Sequence, residues 1–455
     1  MIFSINQLIK LFWASAFLSF FFYLSFVIFR KGEDIQLYMF TYFETFIVFA
    51  FTVFLIKRAE LNNHNLSEDV PSFLPEVVSK KIFRSDEDNI FKYKIPLIII
   101  LFGVLFRLLL FYSSPSTSDD IHRYVWEAKV ILNGSNPYYL QPNSEVLEHL
   151  RDNNYKLVTF KHIPAIYPPA AQIGFVISYV LSGGRFWGFK LVYLICEIIT
   201  MIFLLKLLIL KKSNPNYVLF YAWLPLSIME YFINIHLDAQ GIMFFVLFIY
   251  FIEKNNYKLS SVFYALSFLS KLLPVFIFPL LLRKLGFKKS LMFGLIFLAM
   301  LIIFYLPFFY QHPNLVTGLF TYLSRWEFNA SVYNLFKFLL NSGYTARIIC
   351  AALLVISVIV ISLRYKDFVS GVFGVFLCLI IFSTTLYPWY LGWISVLNPF
   401  SQFYSVFSLQ FTSNFSNFTP LGDKWKEYTP VLLVQYLPFF VLLYYDIKKR
   451  FLKRN

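Results

Sequence analysis

Charged side chains are scarce in this sequence. Only 14% of its 455 residues are Asp, Glu, Lys or Arg, and 58% are hydrophobic, whereas soluble domains carry roughly 25% charged residues. This composition excludes an ordinary soluble globular protein. Cysteine is scarce too: Cys196, Cys350 and Cys378 all lie within apolar runs, so neither a disulfide framework nor a zinc site is expected. The sequence also lacks a Gly-rich phosphate loop with its lysine, which leaves cytoplasmic nucleotide chemistry without support.

The net charge of +15 raises the question of nucleic-acid binding. The basic residues, however, lie in short clusters that separate apolar runs. These clusters are Lys57-Arg58, Lys80-Lys81, Lys211-Lys212, residues 283–289 and residues 448–454. Clusters in such places are typical of loops retained in the cytoplasm during membrane insertion. We therefore predict membrane topology from them and no nucleic-acid partner.

Apolar runs long enough to cross a bilayer recur along the chain. A helix needs about 20 mainly apolar residues to span the hydrocarbon core. The runs that qualify are 8–29, 38–56, 95–112, 186–210, 217–232, 291–309, 346–363, 369–386 and 431–445. We predict an all-α polytopic membrane protein, with residues 1–455 forming one transmembrane domain of about 10 to 13 crossings. The first run is expected to be a retained span and not a cleaved signal peptide.

Loop charges orient these runs. Residues 57–94 carry both charge signs and are predicted to form a cytoplasmic loop, which places residues 113–166 and 310–345 in extracytoplasmic loops. Three segments fit no simple crossing: 168–180, 259–282 and 389–411. Within 259–282, Ser270-Lys271 and Pro274 interrupt the apolar run, which predicts two half-spans that meet at a break.

The first extracytoplasmic loop holds the strongest chemical signal. Thr117 and Asp120 resemble a helix start and Asn133-Gly134 resembles a stop, so we expect a short juxtamembrane helix of about four turns. Asp120, Arg123, Tyr124 and Glu127 would share one of its faces. The alternative is that Asp119 and Asp120 only complement the positive helix N-terminus, an effect of about 0.3 to 1 kcal/mol.

Other polar residues occur where the chain returns to the same side. His236 and Asp238 lie in a short turn between two apolar runs, where Asp238 could instead be a simple helix cap. Lys271 is expected to cost about 2.5 to 3.5 kcal/mol on insertion unless it reaches water or a phosphate, for instance by snorkelling. Arg325 is expected to pair with Glu327. The segment 167–169, with two prolines, is expected to be a rigid turn. The aromatic residues of 387–390 are expected to anchor the chain at the membrane interface.

Taken in order, these motifs resemble a known family. They are DDIHRYVWE at 119–127 with GSNPY at 134–138, YPP at 167–169, HLDA at 236–239, KLLP at 271–274, WEFN at 326–329 and YPWY at 387–390. The ordered set is similar to the bacterial polyprenyl-phosphate-mannose-dependent mannosyltransferases of the GT-C glycosyltransferase superfamily. At the second acidic turn the usual Gly-His-Asn-Asp reads Ile-His-Leu-Asp here, which leaves acceptor specificity open.

The resemblance implies an inverting transfer of a sugar, expected to be mannose, from a polyprenyl-phosphate donor to a glycan or lipid-linked acceptor. One carboxylate of the first loop would be the catalytic base, and that role falls on Asp119 or Asp120. The leaving phosphate needs cations. The candidates for binding the donor phosphate or the substrate are Arg123, Tyr124, His236, Asp238, Lys271 and Arg325, with Lys271 preferred for the phosphate. No cofactor is required by the sequence, although a divalent ion bridging the carboxylates to the phosphate is compatible with it.

The resemblance further implies a bacterial cytoplasmic membrane location with the active site on the extracytoplasmic side. The rival hypothesis is a transporter or flippase of lipid-linked sugars, which would also need broken helices and intramembrane charge. Transporters of that kind usually show repeated halves, and this sequence shows no internal repeat.

Overall fold

The structure is a computed structural model that describes residues 5–30, 34–68, 94–312, 314–421 and 427–452. The described chain is helical and contains no β-strand apart from an isolated bridge between Phe328 and Thr385. The first ten helices are α1 (Ile5–Phe29), α2 (Ile35–Glu68), α3 (Ile95–Leu109), α4 (Asp120–Leu132), α5 (Asn153–Leu157), α6 (Pro169–Ser182), α7 (Phe186–Leu210), α8 (Leu219–Ala222), α9 (Pro225–Phe232) and α10 (Asp238–Glu253).

The second ten helices are α11 (Tyr257–Ser270), α12 (Phe278–Gln311), α13 (Thr317–Arg325), α14 (Val332–Leu340), α15 (Gly343–Arg364), α16 (Phe368–Phe382), α17 (Gly392–Ser395), α18 (Asn398–Ser401), α19 (Tyr404–Thr412) and α20 (Thr429–Leu452). Short 3-10 turns occupy Glu145–Leu150, Pro215–Val218, Leu273–Ile277, Pro388–Leu391 and Ser413–Leu421.

Within the described residues, six stretches of helix are long and apolar enough to cross a membrane. They are Asn6–Phe29, Ile35–Glu60, Phe186–Leu210, Leu273–Gln311, Gly343–Arg364 and Thr429–Arg450, and three shorter apolar helices are Ile95–Leu109, Pro169–Ser182 and Phe368–Phe382. Many large apolar side chains on these helices are exposed at the surface of the bundle, as expected where lipid is the solvent. The prediction of an all-α, multi-pass integral membrane protein is confirmed. The number of crossings, 10 to 13, stays a prediction.

Two apolar runs differ from the expected spans. Residues 217–232 do not form one helix but break into the 3-10 turn Pro215–Val218, α8 and α9, because Pro225 has no amide hydrogen and begins a new helix. The helix of the 369–386 run ends at Phe382. At the other predicted loop, α2 continues to Glu68, and residues 69–93 lie outside the described residues; the cytoplasmic assignment of 57–94 stays a prediction.

The predicted break within residues 259–282 is present. α11 ends at Ser270, Lys271 adopts an extended conformation, and the 3-10 turn that contains Pro274 leads into α12. Gly286 then has φ of 70° inside α12, a left-handed conformation that glycine adopts without steric cost. Likewise Pro168 is extended and α6 begins at Pro169, so the expected rigid turn lies at this point.

A buried ion pair joins α3 to α7. Nη2 of Arg107 lies 2.6 Å from Oε2 of Glu197, and neither side chain is exposed. Arg107 also donates to the carbonyl oxygens of Gly103 and Ala222, and Tyr221 donates to Glu197. Removing one member of such a pair leaves an uncompensated buried charge, which costs about 3 to 5 kcal/mol. The pair therefore fixes how α3, α7 and the α8 segment pack.

Candidate functional site

The candidate site begins where α4 begins. α4 starts at Asp120, with Asp119 as its N-cap and without a side-chain hydrogen bond at the cap. The prediction that Thr117 starts the helix is wrong, because Thr117 instead accepts a hydrogen bond from Asn234. The predicted short helix itself is confirmed, and loop 113–166 carries two further short helical pieces, Glu145–Leu150 and α5.

Asp120 lies among aromatic hydroxyls and a histidine. Its Oδ2 accepts from the Tyr124 hydroxyl at 3.4 Å and from the Tyr167 hydroxyl at 3.3 Å. Nδ1 of His236 lies 3.6 Å from the same oxygen. Burial, followed by the negative charge of Asp119, raises the pKa of Asp120 from 3.8 to about 7, although Lys271 acts in the opposite direction. A carboxyl with such a pKa exchanges protons near neutral pH.

Asn234 ties the segment before α4 to the turn between α9 and α10. Its side-chain oxygen accepts from the backbone amides of Ser116 and Thr117, both at 3.1 Å. Its amide nitrogen donates to the Thr117 hydroxyl at 2.7 Å and to Oε2 of Glu230 at 2.9 Å. Asn234 is fully buried, so it holds Asp119 and Asp120 at a fixed distance from that turn.

Asp238 and Lys271 form a second part of the site. Nζ of Lys271 lies 2.7 and 2.8 Å from the two carboxylate oxygens of Asp238, which is buried. The indole of Trp393 donates to Asp238 at 2.7 Å. Asp238 is thus the first residue of α10 and also the ion partner of Lys271, more than a simple cap. Because Lys271 sits at the helix break, its ammonium reaches this carboxylate.

Aromatic side chains line the same region. The ammonium of Lys271 lies 3.8 Å from the ring centroid of Tyr390, in the range of a cation–π contact. The hydroxyls of Tyr390 and Tyr322 are 2.6 Å apart, which joins the YPWY segment to α13. Tyr390 therefore contacts the site directly, and the expected anchor role does not describe it fully.

His236 is completely buried between two carboxylates. Its Nδ1 faces Asp120 and its Nε2 lies 3.5 Å from Oε2 of Glu230. Among the described residues, neither ring nitrogen has a hydrogen-bond partner. The ring stacks on Trp389, with centroids 3.6 Å apart and planes inclined by 16°. We refer to Asp120, Glu230, His236, Asp238 and Lys271 as the Asp120 cluster.

Arg123 and Glu127 lie on the same face of α4 as predicted, but they bond to each other. Nε of Arg123 lies 2.6 Å from Oε1 of Glu127, and the guanidinium also donates to the carbonyl oxygens of Phe160 and Ile163. These contacts fold the end of loop 113–166 onto α4. The role of Arg123 as a phosphate ligand stays a prediction, while its present contacts support the loop.

Arg325 does not pair with Glu327, and this prediction is wrong. α13 ends at Arg325, whose side chain is exposed, and the extended chain that follows directs Glu327 elsewhere. Glu327 pairs with Lys337 at 2.5 Å and with Arg347 at 3.4 Å, and it accepts from Tyr333. The predicted phosphate role of Arg325 stays a prediction.

The structure brings most of the predicted residues together and adds others. Asp119, Asp120, Tyr124, His236, Asp238 and Lys271 converge on one region. Glu230 and Trp393 were not singled out from the sequence. Glu230 had a usable signal, since a carboxylate inside an apolar run is costly and marks function more often than chance. Trp393 had no such signal, because its hydrogen-bond partner Asp238 is remote in the chain.

The described residues include no group of three or more His, Cys, Asp or Glu side chains that could hold a metal ion. Cys196, Cys350 and Cys378 are free thiols. No family model and no curated protein matches this chain.

Proposed function

We propose that this chain is an inverting glycosyltransferase of the GT-C type. It would transfer a sugar, expected to be mannose, from a polyprenyl-phosphate donor to a glycan or lipid-linked acceptor on the extracytoplasmic face of a bacterial cytoplasmic membrane. The observation that carries the proposal is Asp120, a partly buried carboxylate at the start of α4, with its pKa raised to about 7.

The chemistry of an inverting transfer matches this carboxylate. The acceptor oxygen forms a bond to the anomeric carbon while the bond from that carbon to the phosphate oxygen breaks, and the acceptor proton passes to a base. A base works best when its pKa is close to the working pH. Asp120 meets that condition and Asp119, which is exposed, lies beside it. We assign the base role to Asp120 and an electrostatic role to Asp119.

Lys271 supports the other half of the reaction. The phosphate that leaves needs positive charge, and an ammonium has three N–H donors. Two of them can be shared with the Asp238 oxygens, and we assign the third to a phosphate oxygen. Asp238 and Trp393 would thus orient the lysine, and the polyprenyl chain would lie among the apolar helices.

The test is a reconstituted reaction with a defined polyprenyl-phosphosugar and a lipid-linked or glycan acceptor, followed by mass spectrometry of the products. We expect a new glycosidic bond with the wild-type chain and none with Asp120→Asn. Relocation of unchanged lipid without bond formation would show a transporter instead. Neither product nor relocation across a panel of donors would also refute the proposal.

A further inference from the structure

His236 occupies an unusual position for a buried histidine. Buried polar atoms are nearly always hydrogen-bonded, yet both ring nitrogens of this fully buried side chain lack a partner in the part of the chain that the structure describes. Both point at carboxylate oxygens that lie slightly beyond hydrogen-bond distance, 3.6 Å away on Asp120 and 3.5 Å away on Glu230. Catalytic hydrogen bonds are often long in the absence of substrate and shorten when it binds.

Glu230 is the carboxylate that lies on the other side of His236 from Asp120. It is buried, its Oε1 accepts from the Tyr38 hydroxyl at 2.9 Å, and its Oε2 accepts from Asn234 at 2.9 Å. Both partners donate, so neither removes a proton from the carboxyl group. Glu230 can therefore receive a proton while it keeps these hydrogen bonds.

We propose that His236 and Glu230 form a proton relay behind Asp120, an inference that rests on the glycosyl transfer proposed above. Asp120 takes the acceptor proton as the new glycosidic bond forms. The proton on Asp120 then passes to Nδ1 of His236 while the proton on Nε2 passes to Oε2 of Glu230. Asp120 ends as a carboxylate, His236 as the other neutral tautomer and Glu230 as a carboxylic acid.

Neutral imidazole is the group that suits this task. A charged ring with no exposure would be costly in the low dielectric of the protein interior, and the two-proton exchange never places a net charge on it. The stack on Trp389 holds the ring plane, so both nitrogens stay aligned with the carboxylates. The reverse transfers restore the resting state once product has left and Asp120 meets solvent.

The relay makes His236 and Glu230 positioning and proton-transfer residues that act through Asp120. We expect His236→Gln and Glu230→Gln each to lower kcat by about 10-fold to 100-fold and to leave KM within about twofold. This loss is smaller than the full effect of a general acid–base group, roughly 10²-fold or greater, because the relay acts only through Asp120. Because the two act as one unit, the double variant should be no slower than the slower single variant.

Chemical rescue separates the relay from a packing role. Removal of the ring in His236→Ala leaves space for added imidazole against Trp389, and imidazole should restore much of the lost rate in that variant. It should have no effect on Asp120→Asn. His122→Gln is the matched control, since His122 bonds to Asn154 and packs edge-on against Phe186, and it should keep the wild-type kcat.

The outcomes are distinct. Wild-type kcat in both Gln variants, multiplicative losses in the double variant, or no rescue by imidazole would overturn the relay while transfer by the wild-type chain stands. If the wild-type chain forms no glycosidic bond, the proposed function fails first. Glu230→Gln keeps an acceptor for the Tyr38 hydroxyl. If the His236 variants fail to fold, kcat of Glu230→Gln therefore still tests the relay.

Discussion

Two adjacent carboxylates at the start of α4 lie in different surroundings. Asp119 is exposed, whereas Asp120 retains 32% side-chain exposure and faces two tyrosine hydroxyls and His236. The sequence alone does not decide which of the two aspartates is the catalytic base, because a motif does not distinguish two adjacent aspartates at the start of a helix. The tertiary partners distinguish them, and they come from the chain segments around Tyr167 and His236.

The pH dependence of transfer should follow Asp120. A base must be deprotonated, so kcat/KM should rise with pH through about 7, well above the ordinary carboxyl pKa of 3.8. Asp119→Asn removes a negative charge that helps to raise the pKa of Asp120. We expect this variant to stay active and to shift the acid limb of the pH–rate profile to lower pH.

The profile is to be measured for the wild type, Asp119→Asn and Glu148→Gln. Glu148 lies in the same loop with a side chain 75% exposed, so its variant should leave the limb in place. An acid limb that is unchanged or moves upward in Asp119→Asn would contradict the electrostatic role of Asp119.

At the scale of elements, the site depends on how loop 113–166 meets the turn between α9 and α10. The sequence predicted both pieces and the short helix α4. It did not predict that Asn234 would join them, because its partners Ser116 and Thr117 are more than a hundred positions away. The Glu327 pairs were missed for the same reason, because they depend on contacts that no local pattern encodes. The break in 217–232 did have a local signal in Pro225.

Asn234→Ala should lower both activity and stability. It removes several buried hydrogen bonds, each worth about 1 kcal/mol net, and frees the segment that leads to Asp120. We expect a marked fall in kcat and a lower thermal unfolding midpoint in detergent. Asn154→Ala is the control, because Asn154 bonds the side chain and carbonyl of His122 and should affect stability without a similar loss of kcat. Equal kcat in both variants would contradict the anchoring role of Asn234.

At the scale of the whole molecule, α10 relates the site to the basic clusters. Asp238 begins this helix and Glu253 ends it. Its 16 residues span about 24 Å at 1.5 Å per residue, close to the roughly 30 Å thickness of the hydrocarbon core. Glu253 pairs with Lys211 and Lys284. Lys211 and Lys284 therefore lie at one end of this apolar helix and the Asp120 cluster lies at the other. This arrangement supports the predicted placement of the cluster outside the cytoplasm.

Cysteine labelling in sealed vesicles should confirm this orientation. Glu148→Cys and Lys254→Cys place thiols at exposed positions of the two ends. We expect an impermeant maleimide to label residue 148 from the extracytoplasmic side and residue 254 only from the cytoplasmic side. The wild-type chain gives the background of its three thiols, two of which are buried. Cytoplasmic labelling of residue 148 would rule out the proposed reaction, since the donor sugar would face the wrong compartment.

The proposed reaction depends on Asp120 as the group that removes the acceptor proton. The most direct measurement is single-turnover transfer from a polyprenyl-phosphosugar by the wild type, Asp120→Asn and His122→Gln, each purified as a folded, monodisperse protein. We predict an inverted glycosidic product from the wild type and His122→Gln, and a rate about 10²-fold to 10⁴-fold lower for Asp120→Asn. Transfer by Asp120→Asn at the wild-type rate would contradict the role of Asp120 as the base.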